Sequence, residues 1–288
     1  MDVTTIKPKT NPLMSHMRQP KIYIKLPSQG KYWANGSLNV SVTGEYPVYS
    51  MTAKDELILK TPDALLNGQG VVSVIQSCMP NIVDAWACPN IDIDVILIAI
   101  RIATYGHNMP LTVSHELIEG GSSEFTFDMR LMLDQLQETI KWDERIEVRP
   151  NLVLYVKPFS YSIVNKNNIN EFETQRIINI VKDENMDENE KIIAFQKSFQ
   201  KLTELTVDLI NASVYRIDSD TGSTQEPEFI QEFMQNTDIE VFDAVKERLD
   251  SLKENNKVKP FTVNVSQDPA NPVEVEVPIV FDYSSFFA

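Results

Sequence analysis

The sequence predicts an α+β fold, with a helical N-terminal core carrying small β-hairpins and then a mainly helical region closed by a C-terminal hairpin. Three observations lead to this class. Residues 94–105 are apolar on almost every side, as in a buried helix. Short alternating segments bounded by glycine and proline occur on both sides of that helix, as in hairpins. The regular strand–helix–strand order that builds parallel sheets is missing.

The first 79 residues are predicted to form an arm, a small β element and two short helices. Residues 1–20 are polar, contain three prolines and are expected to be flexible. Thr52 is a helix N-cap residue with Asp55 three positions later, a pattern that opens helices. The predicted elements are an extended segment at 22–26, a β element at 37–42 with 47–49, and helices at 53–60 and 71–79.

The central helix is expected to begin at Asp92 or Asp94 and to end at Tyr105, because Gly106 suits the position after a helix. Arg101 is the polar exception on this helix. A buried arginine is costly unless it is paired. We expect Arg101 to form a structural ion pair with Asp55 or Glu56, and the alternative is an ion pair at an interface with a partner.

The composition changes near residue 160, which divides the chain into an arm (1–20), an N-terminal α+β domain (21–158) and a helical region with a C-terminal β-hairpin (159–288). The remaining predicted elements follow in order. They are a hairpin of 111–116 and 124–128, a helix at 129–138, strands at 145–148 and 152–157, helices at 170–181 and 188–211, a strand at 214–217, helices at 227–235 and 239–255, and a hairpin of 261–265 and 273–277.

The charge limits the class of partner. The 288 residues carry a formal net charge of −15, which repels the phosphates of nucleic acid and of anionic membranes. The longest apolar run, residues 95–100, is too short to cross a membrane. The two cysteines, Cys78 and Cys88, do not form a CxxC pair, so we expect reduced thiols and folding in a cytoplasm.

The sequence offers no recognisable catalytic, cofactor-binding or metal-binding pattern. The three histidines, His16, His107 and His115, lie at no ligand spacing, so no metal is expected. Phosphate-binding glycine loops and nucleophile motifs are missing as well. The Asp92 and Asp94 pair is explained by helix capping. We therefore predict a protein that is not an enzyme and that has no cofactor.

A resemblance to a known family is carried by residues 47–106. Within them, four segments follow one another in order and spacing: MTAKDE (51–56), KTPDAL (60–65), QSC (76–78) and DVILIAIRIATYG (94–106). These resemble the baseplate hub proteins of T-even-type contractile-tailed bacteriophages. The preceding segment, KIYIKLPSQGKYW (21–33), is similar to the opening of that family. The cysteine-containing knuckle that the resemblance would place after Tyr105–Gly106 is replaced here by a segment without cysteine.

The resemblance implies a structural virion protein of the tail baseplate hub that takes part in tail assembly and folds in the host cytoplasm. Its expected partners are other hub proteins and the tape-measure protein, and an oligomeric state within the assembly stays open. Two alternatives remain. One is an assembly chaperone for hub or tape-measure proteins that leaves before the virion is complete. The other is a cytosolic enzyme with an unrecognised site.

Two apolar segments are candidate interfaces, because stable interfaces use apolar residues surrounded by polar ones. The first is the arm with the strand after it, and the second is the C-terminal tail, where fraying is the default. The alternative for the tail is that it seals the core of its own domain. The candidate interface residues are Ile22, Tyr23, Ile24, Leu26, Phe281, Tyr283, Phe286 and Phe287.

Overall fold

The computed structural model describes residues 13, 16–61, 68–114, 122–166, 188–256, 260–264 and 274–277. Its main helices are α1 (Ala53–Leu59), α2 (Gln69–Cys78), α3 (Asn90–Tyr105), α4 (Met129–Thr139), α5 (Glu188–Ser213), α6 (Pro227–Asn236) and α7 (Ile239–Asn255). Its strands are β1 (Pro20–Lys25), β2 (Glu45–Tyr49), β3 (Asn108–Ser114), β4 (Ser122–Asp128), β5 (Arg145–Arg149), β6 (Leu152–Val156), β7 (Val214–Ser219), β8 (Gly222–Thr224), β9 (Phe261–Asn264) and β10 (Glu274–Val277). This composition confirms the α+β class.

Helix α3 is the centre of the first core, as the sequence predicts. It contacts β1, β2, α2 and α4, and its side chains from Val95 to Ile100 are at most 1% exposed. Complete burial of one such isoleucine or leucine contributes roughly 1.5–3 kcal/mol. The helix ends at Gly106, whose backbone has a φ of +87° that favours glycine. It begins at Asn90, so Asp92 lies in its first turn and Asp94 within the helix.

The first sheet differs from the expected β element. Strand β1 pairs antiparallel with β2, and Tyr23 lies opposite Pro47. The expected strand at 37–42 is wrong, because these residues make only one isolated bridge, from Leu38 to Ile82. The strand that pairs with β1 is instead β2, which begins directly after the turn at Gly44.

A second core lies on an antiparallel sheet with the strand order β5-β6-β7-β8. Helices α6 and α7 contact this sheet and share its apolar cluster. The cluster contains Ile146, Leu154, Val156, Ile210, Val214, Ile217, Ile230, Met234, Val241, Val245 and Leu252. A domain boundary at 158 would separate β5 and β6 from β7, the strand with which β6 pairs.

Both predicted hairpins are present, and they contact each other. Strand β3 pairs with β4, and β9 pairs with β10. The side chains of Val275 and Val277 pack beside Phe125 around the buried Val113. The C-terminal hairpin therefore attaches to the first hairpin. The helix expected at 170–181 lies outside the described residues. Of the helices in the described ranges, none combines the length and the apolar character that crossing a membrane requires.

Candidate functional site

A buried carboxylate fixes the turn that follows β1. Asp92 on α3 is fully buried. Its Oδ1 accepts the backbone N–H of Ser28 at 2.8 Å, and its Oδ2 accepts the Ser28 hydroxyl at 2.5 Å. The indole N–H of Trp33 also donates to Oδ2, at 3.0 Å. Burial nevertheless raises the pKa of Asp92 to about 6, against the opposing effect of these hydrogen bonds.

The turn after β1 has several residues with positive φ angles, and it leads into the aromatic residues Tyr32 and Trp33. Gln29, Gly30 and Tyr32 all have positive φ values, of 55°, 79° and 66°. Such angles are uncommon for residues other than glycine and persist where the surroundings enforce them. The Asp92 bonds supply that enforcement. Tyr32 thereby reaches Glu144 and the ring of Tyr215 on β7, whereas Trp33 packs against the first core.

Glu144 connects the two cores through a pair of tyrosines. Its Oε2 accepts the hydroxyl of Tyr32 at 2.7 Å and the hydroxyl of Tyr215, from β7, at 2.9 Å. The two tyrosine rings are edge to face, with centroids 6.4 Å apart. Burial and the bond to Glu144 raise the pKa of Tyr215 to about 12, and the same causes raise the pKa of Tyr32 further. Both hydroxyls therefore stay protonated and donate.

Two cavities adjoin beside these tyrosines, and we call them together the junction cleft. They have volumes of about 500 Å³ and about 620 Å³. Four residues line both of them: Lys157, Ile163, Ala212 and Tyr215. The larger one, which we call the aromatic cavity, has Tyr32, Trp33, Trp86 and Phe159 in its wall beside polar residues such as Ser160 and Ser162. The smaller one carries amide side chains, from Asn211, Gln225, Gln231 and Gln235.

A second buried carboxylate holds the chain before β1. Asp55 lies 3.8 Å from the guanidinium of Arg18 and accepts the Ser77 hydroxyl at 2.9 Å. Thr52 and Asp55 form the predicted capping box at the start of α1. The guanidinium of Arg18 also donates to the carbonyl of Ser50 at 2.8 Å. Arg18 thus ties the end of the arm to the first core.

The ion pairs found among the described residues do not join Arg101 to Asp55 or Glu56, and a structural ion pair of Arg101 stays a prediction. Asp55 is occupied by Arg18, Thr52 and Ser77, and Glu56 is 3.5 Å from the hydroxyl of Tyr105. The guanidinium of Arg101 instead lies over the Tyr105 ring, 5.8 Å from its centroid. Since Tyr105 is one turn after Arg101 on the same helix, this stacking is available without any second element.

The four candidate interface residues of β1 and the following turn differ in what they can offer a partner. Ile24 and Leu26 are buried in the chain's own core, at 1% and 2% exposure, and Ile22 packs against that core. They are therefore already covered. Tyr23 points away and is 62% exposed. The tail candidates Phe281, Tyr283, Phe286 and Phe287 lie outside the described residues.

A second exposed apolar feature was not apparent in the sequence. Residues 37–39 are hydrogen-bonded to residues 81–84, which brings Val40 and Val83 to neighbouring segments of the surface. Val40 is 64% exposed and Val83 is 51% exposed. The alternating pattern of 37–42 could be read only as a strand, because the sequence does not show that 81–84 supplies its hydrogen bonds.

The described residues give little support for catalysis by a bound metal ion or by a cysteine nucleophile. Within the described ranges, His, Cys, Asp and Glu do not gather in threes at a distance suited to a metal ion. Cys78 and Cys88 are both buried, and burial raises the pKa of Cys78 to about 12 and that of Cys88 well above its usual value. Thiols of this kind are poor nucleophiles, because the thiolate is the reactive form.

The sequence contains no motif that marks Tyr32, Trp33, Glu144, Lys157 or Tyr215 as functional residues. Tyr32 and Trp33 end the segment KIYIKLPSQGKYW, so the resemblance included them without assigning them a role. Glu144 and Tyr215 are 71 residues apart, and only their tertiary contact reveals the relationship.

Comparison with known proteins gives one match. A family model described as T4 bacteriophage base plate protein matches residues 17–287, which is nearly the whole chain. No curated protein and no solved structure matches the chain significantly.

Proposed function

Since this chain belongs to the T4 bacteriophage base plate protein family, we propose that it is a structural protein of the hub at the centre of the phage tail baseplate. In this role it takes part in the assembly of a contractile tail through protein–protein contacts. The family match over residues 17–287 is the observation that carries the proposal. It covers both cores, so the family relationship includes the region after 160 that the resemblance in the sequence left unassigned.

The described surface supports a role in contacts. Tyr23, Val40 and Val83 are exposed apolar side chains, and residues of this kind form the centres of protein interfaces. The strand that carries Tyr23 is held at both ends, because Asp55 binds Arg18 before β1 and Asp92 binds Ser28 after it. A preformed surface loses little conformational freedom on binding. The expected partners are other proteins of the hub and the tape-measure protein, with an oligomer as one arrangement.

The chaperone alternative differs from the hub proposal in one measurable quantity. A hub protein stays in the virion at a defined copy number, whereas a chaperone is present in the host cytoplasm and leaves before completion. Quantitative mass spectrometry of purified particles against a known baseplate protein tests this. A fixed integer ratio supports the hub proposal, and loss of the chain from washed particles with retention in the infected lysate contradicts it.

A further inference from the structure

We propose that the junction cleft binds an extended peptide segment of another baseplate protein, with an acidic residue of that segment at Lys157 and apolar side chains against the aromatic cavity. This inference rests on the proposed function, because it takes a baseplate protein as the source of the segment. On this proposal, one neighbouring baseplate protein binds in the cleft between the two cores.

The amide cavity has the chemistry of a peptide backbone site. The amide oxygen of Asn211 is buried and accepts no hydrogen bond from a described residue. A buried acceptor without a donor is costly, so an occupant with an N–H group is favoured there. Gln225, Gln231 and Gln235 add side-chain amides, each of which can donate to and accept from a peptide group.

The hydrogen-bonding groups of three aromatic residues in the aromatic cavity are already engaged. The Trp33 indole N–H is engaged by Asp92, and the hydroxyls of Tyr32 and Tyr215 are engaged by Glu144. What these residues present is ring surface that is already held in place. Fixed ring surface suits an apolar, aromatic or proline side chain, because burying it costs the protein little ordering entropy.

Lys157 supplies the charge complementarity. It is half-buried, lines both cavities, and has no described carboxylate within 4.0 Å. Arg18, Arg145 and Arg216, in contrast, each have a carboxylate partner nearby. Of the four residues that line both cavities, Lys157 alone carries a charge, so an acidic side chain is favoured at this shared wall.

Two other lining residues limit how acidic the occupant can be. Asp84 lines the aromatic cavity and Asp208 lines the amide cavity. A polyanion such as nucleic acid would meet both carboxylates, whereas a peptide with one acidic residue at the shared wall would not. The two adjoining cavities together exceed the usual volume of a small-ligand pocket, which favours several residues of an extended chain.

Site-specific photocrosslinking of the full-length chain in infected cells during tail assembly tests the inference. The variant Gln231→p-benzoylphenylalanine places the probe in the cleft, and Glu232→p-benzoylphenylalanine is the matched control on the adjacent exposed position of α6, outside the cleft lining. We expect the Gln231 probe to crosslink to another baseplate protein at a segment that contains Asp or Glu. The Glu232 probe should not give that adduct. Adding Lys157→Gln should lower its yield at least about fivefold, and Lys157→Arg should keep it.

Three results would overturn the inference. They are an adduct confined to this chain or a second copy of it, for example at residues 167–187; no adduct in cells that assemble tails; and an adduct that Lys157→Gln leaves undiminished. Thermal melting of the Lys157 variants confirms that each is folded. The particle measurement decides the proposed function separately, because a chaperone could give the adduct in cells and still be absent from particles.

Discussion

Ser28 donates two hydrogen bonds to one carboxylate, from its backbone N–H to Oδ1 of Asp92 and from its hydroxyl to Oδ2. This arrangement joins the turn after β1 to the first turn of the central helix. It gives a physical reason for the Pro-Ser-x-Gly segment, since Ser28 supplies the donors and Gly30 takes the positive φ. Tyr32, which contacts Glu144 and Tyr215 beside the second core, follows directly from that turn.

Removal of the Asp92 carboxylate should destabilise the whole first core. In Asp92→Ala, the backbone N–H of Ser28 and the indole N–H of Trp33 lose their acceptor in a buried place. Unsatisfied buried donors of this kind cost about 2–4 kcal/mol together. Urea denaturation of the purified chain measures the change in the free energy of unfolding. The exposed Asp250→Ala on α7 is the control and should stay within about 0.5 kcal/mol. Equal effects of the two substitutions would contradict the assignment.

The elements that the sequence predicts well are those with strong local signals. The α3 helix, the two hairpins, and helices α6 and α7 follow from apolar periodicity and turn residues. The membership of β7 in the sheet with β6 does not, because the two strands are separated by 57 residues between Val156 and Val214. Arg101 is a similar case, because an arginine in an apolar helix indicates that a partner is needed but does not identify that partner.

The junction cleft could not be predicted for a related reason. Its residues come from five places, and no spacing in the sequence connects them. These are the turn after β1, residues 84–87, residues 157–163, residues 208–215 and residues 225–235. Tyr23 is the opposite case. Strand alternation alone places it on the face opposite to the buried Ile24, and the structure has that arrangement.

Stability should increase as the pH falls from 7 to 5. Burial raises the pKa of Asp92 and of Asp94 from the ordinary value of 3.8 to about 6. A raised folded-state pKa means that the folded chain binds the proton more tightly than the unfolded chain. The resulting stabilisation is complete below about pH 4 and is lost as the pH rises through about 6. Denaturation at pH 7, 6 and 5 measures it.

Asp94→Asn should weaken this pH dependence, since it removes one of the two titrating groups. Burial is the cause of its raised pKa, and the amide is neutral at every pH in the range. The variant should therefore be more stable than the wild type at pH 7 and similar to it at pH 5. Asp84→Asn, on an exposed N-cap, is the control and should keep the wild-type slope. A steeper slope in Asp94→Asn would refute the explanation.

The two tyrosines at Glu144 should be energetically coupled. Tyr32→Phe and Tyr215→Phe each remove one hydroxyl from the same carboxylate oxygen, and each should cost roughly 1 kcal/mol. Because the two donors share Oε2, the double variant should differ from the sum of the single variants by about 0.5 kcal/mol or more. A double-mutant cycle in urea measures this. Strict additivity would show that Glu144 does not connect the two cores.

Tyr23 should contribute to assembly and hardly at all to folding. It is 62% exposed on a strand whose inward residues Ile22 and Ile24 face the core. Tyr23→Ser should leave the melting temperature within about 2 °C, and it should lower incorporation into the baseplate measured by co-sedimentation with tail structures. Ile24→Ser is the contrasting variant and should be unfolded or aggregated. Normal incorporation of Tyr23→Ser would remove β1 from the candidate interfaces.

The C-terminal tail gives the last prediction. Residues 281–288 follow strand β10, which ends at Val277, and lie outside the described residues. If the tail is an interface, as predicted from the sequence, deletion of residues 281–288 should leave a soluble, folded chain with an unchanged melting temperature. If Phe281, Tyr283, Phe286 and Phe287 contact a neighbour, the deleted chain should fail to enter the hub complex in a complementation assay. Unfolding or aggregation would show instead that the tail seals its own core. Normal assembly would show that the tail has neither role, and the interface would then have to lie elsewhere, with Tyr23 and the junction cleft as the next candidates.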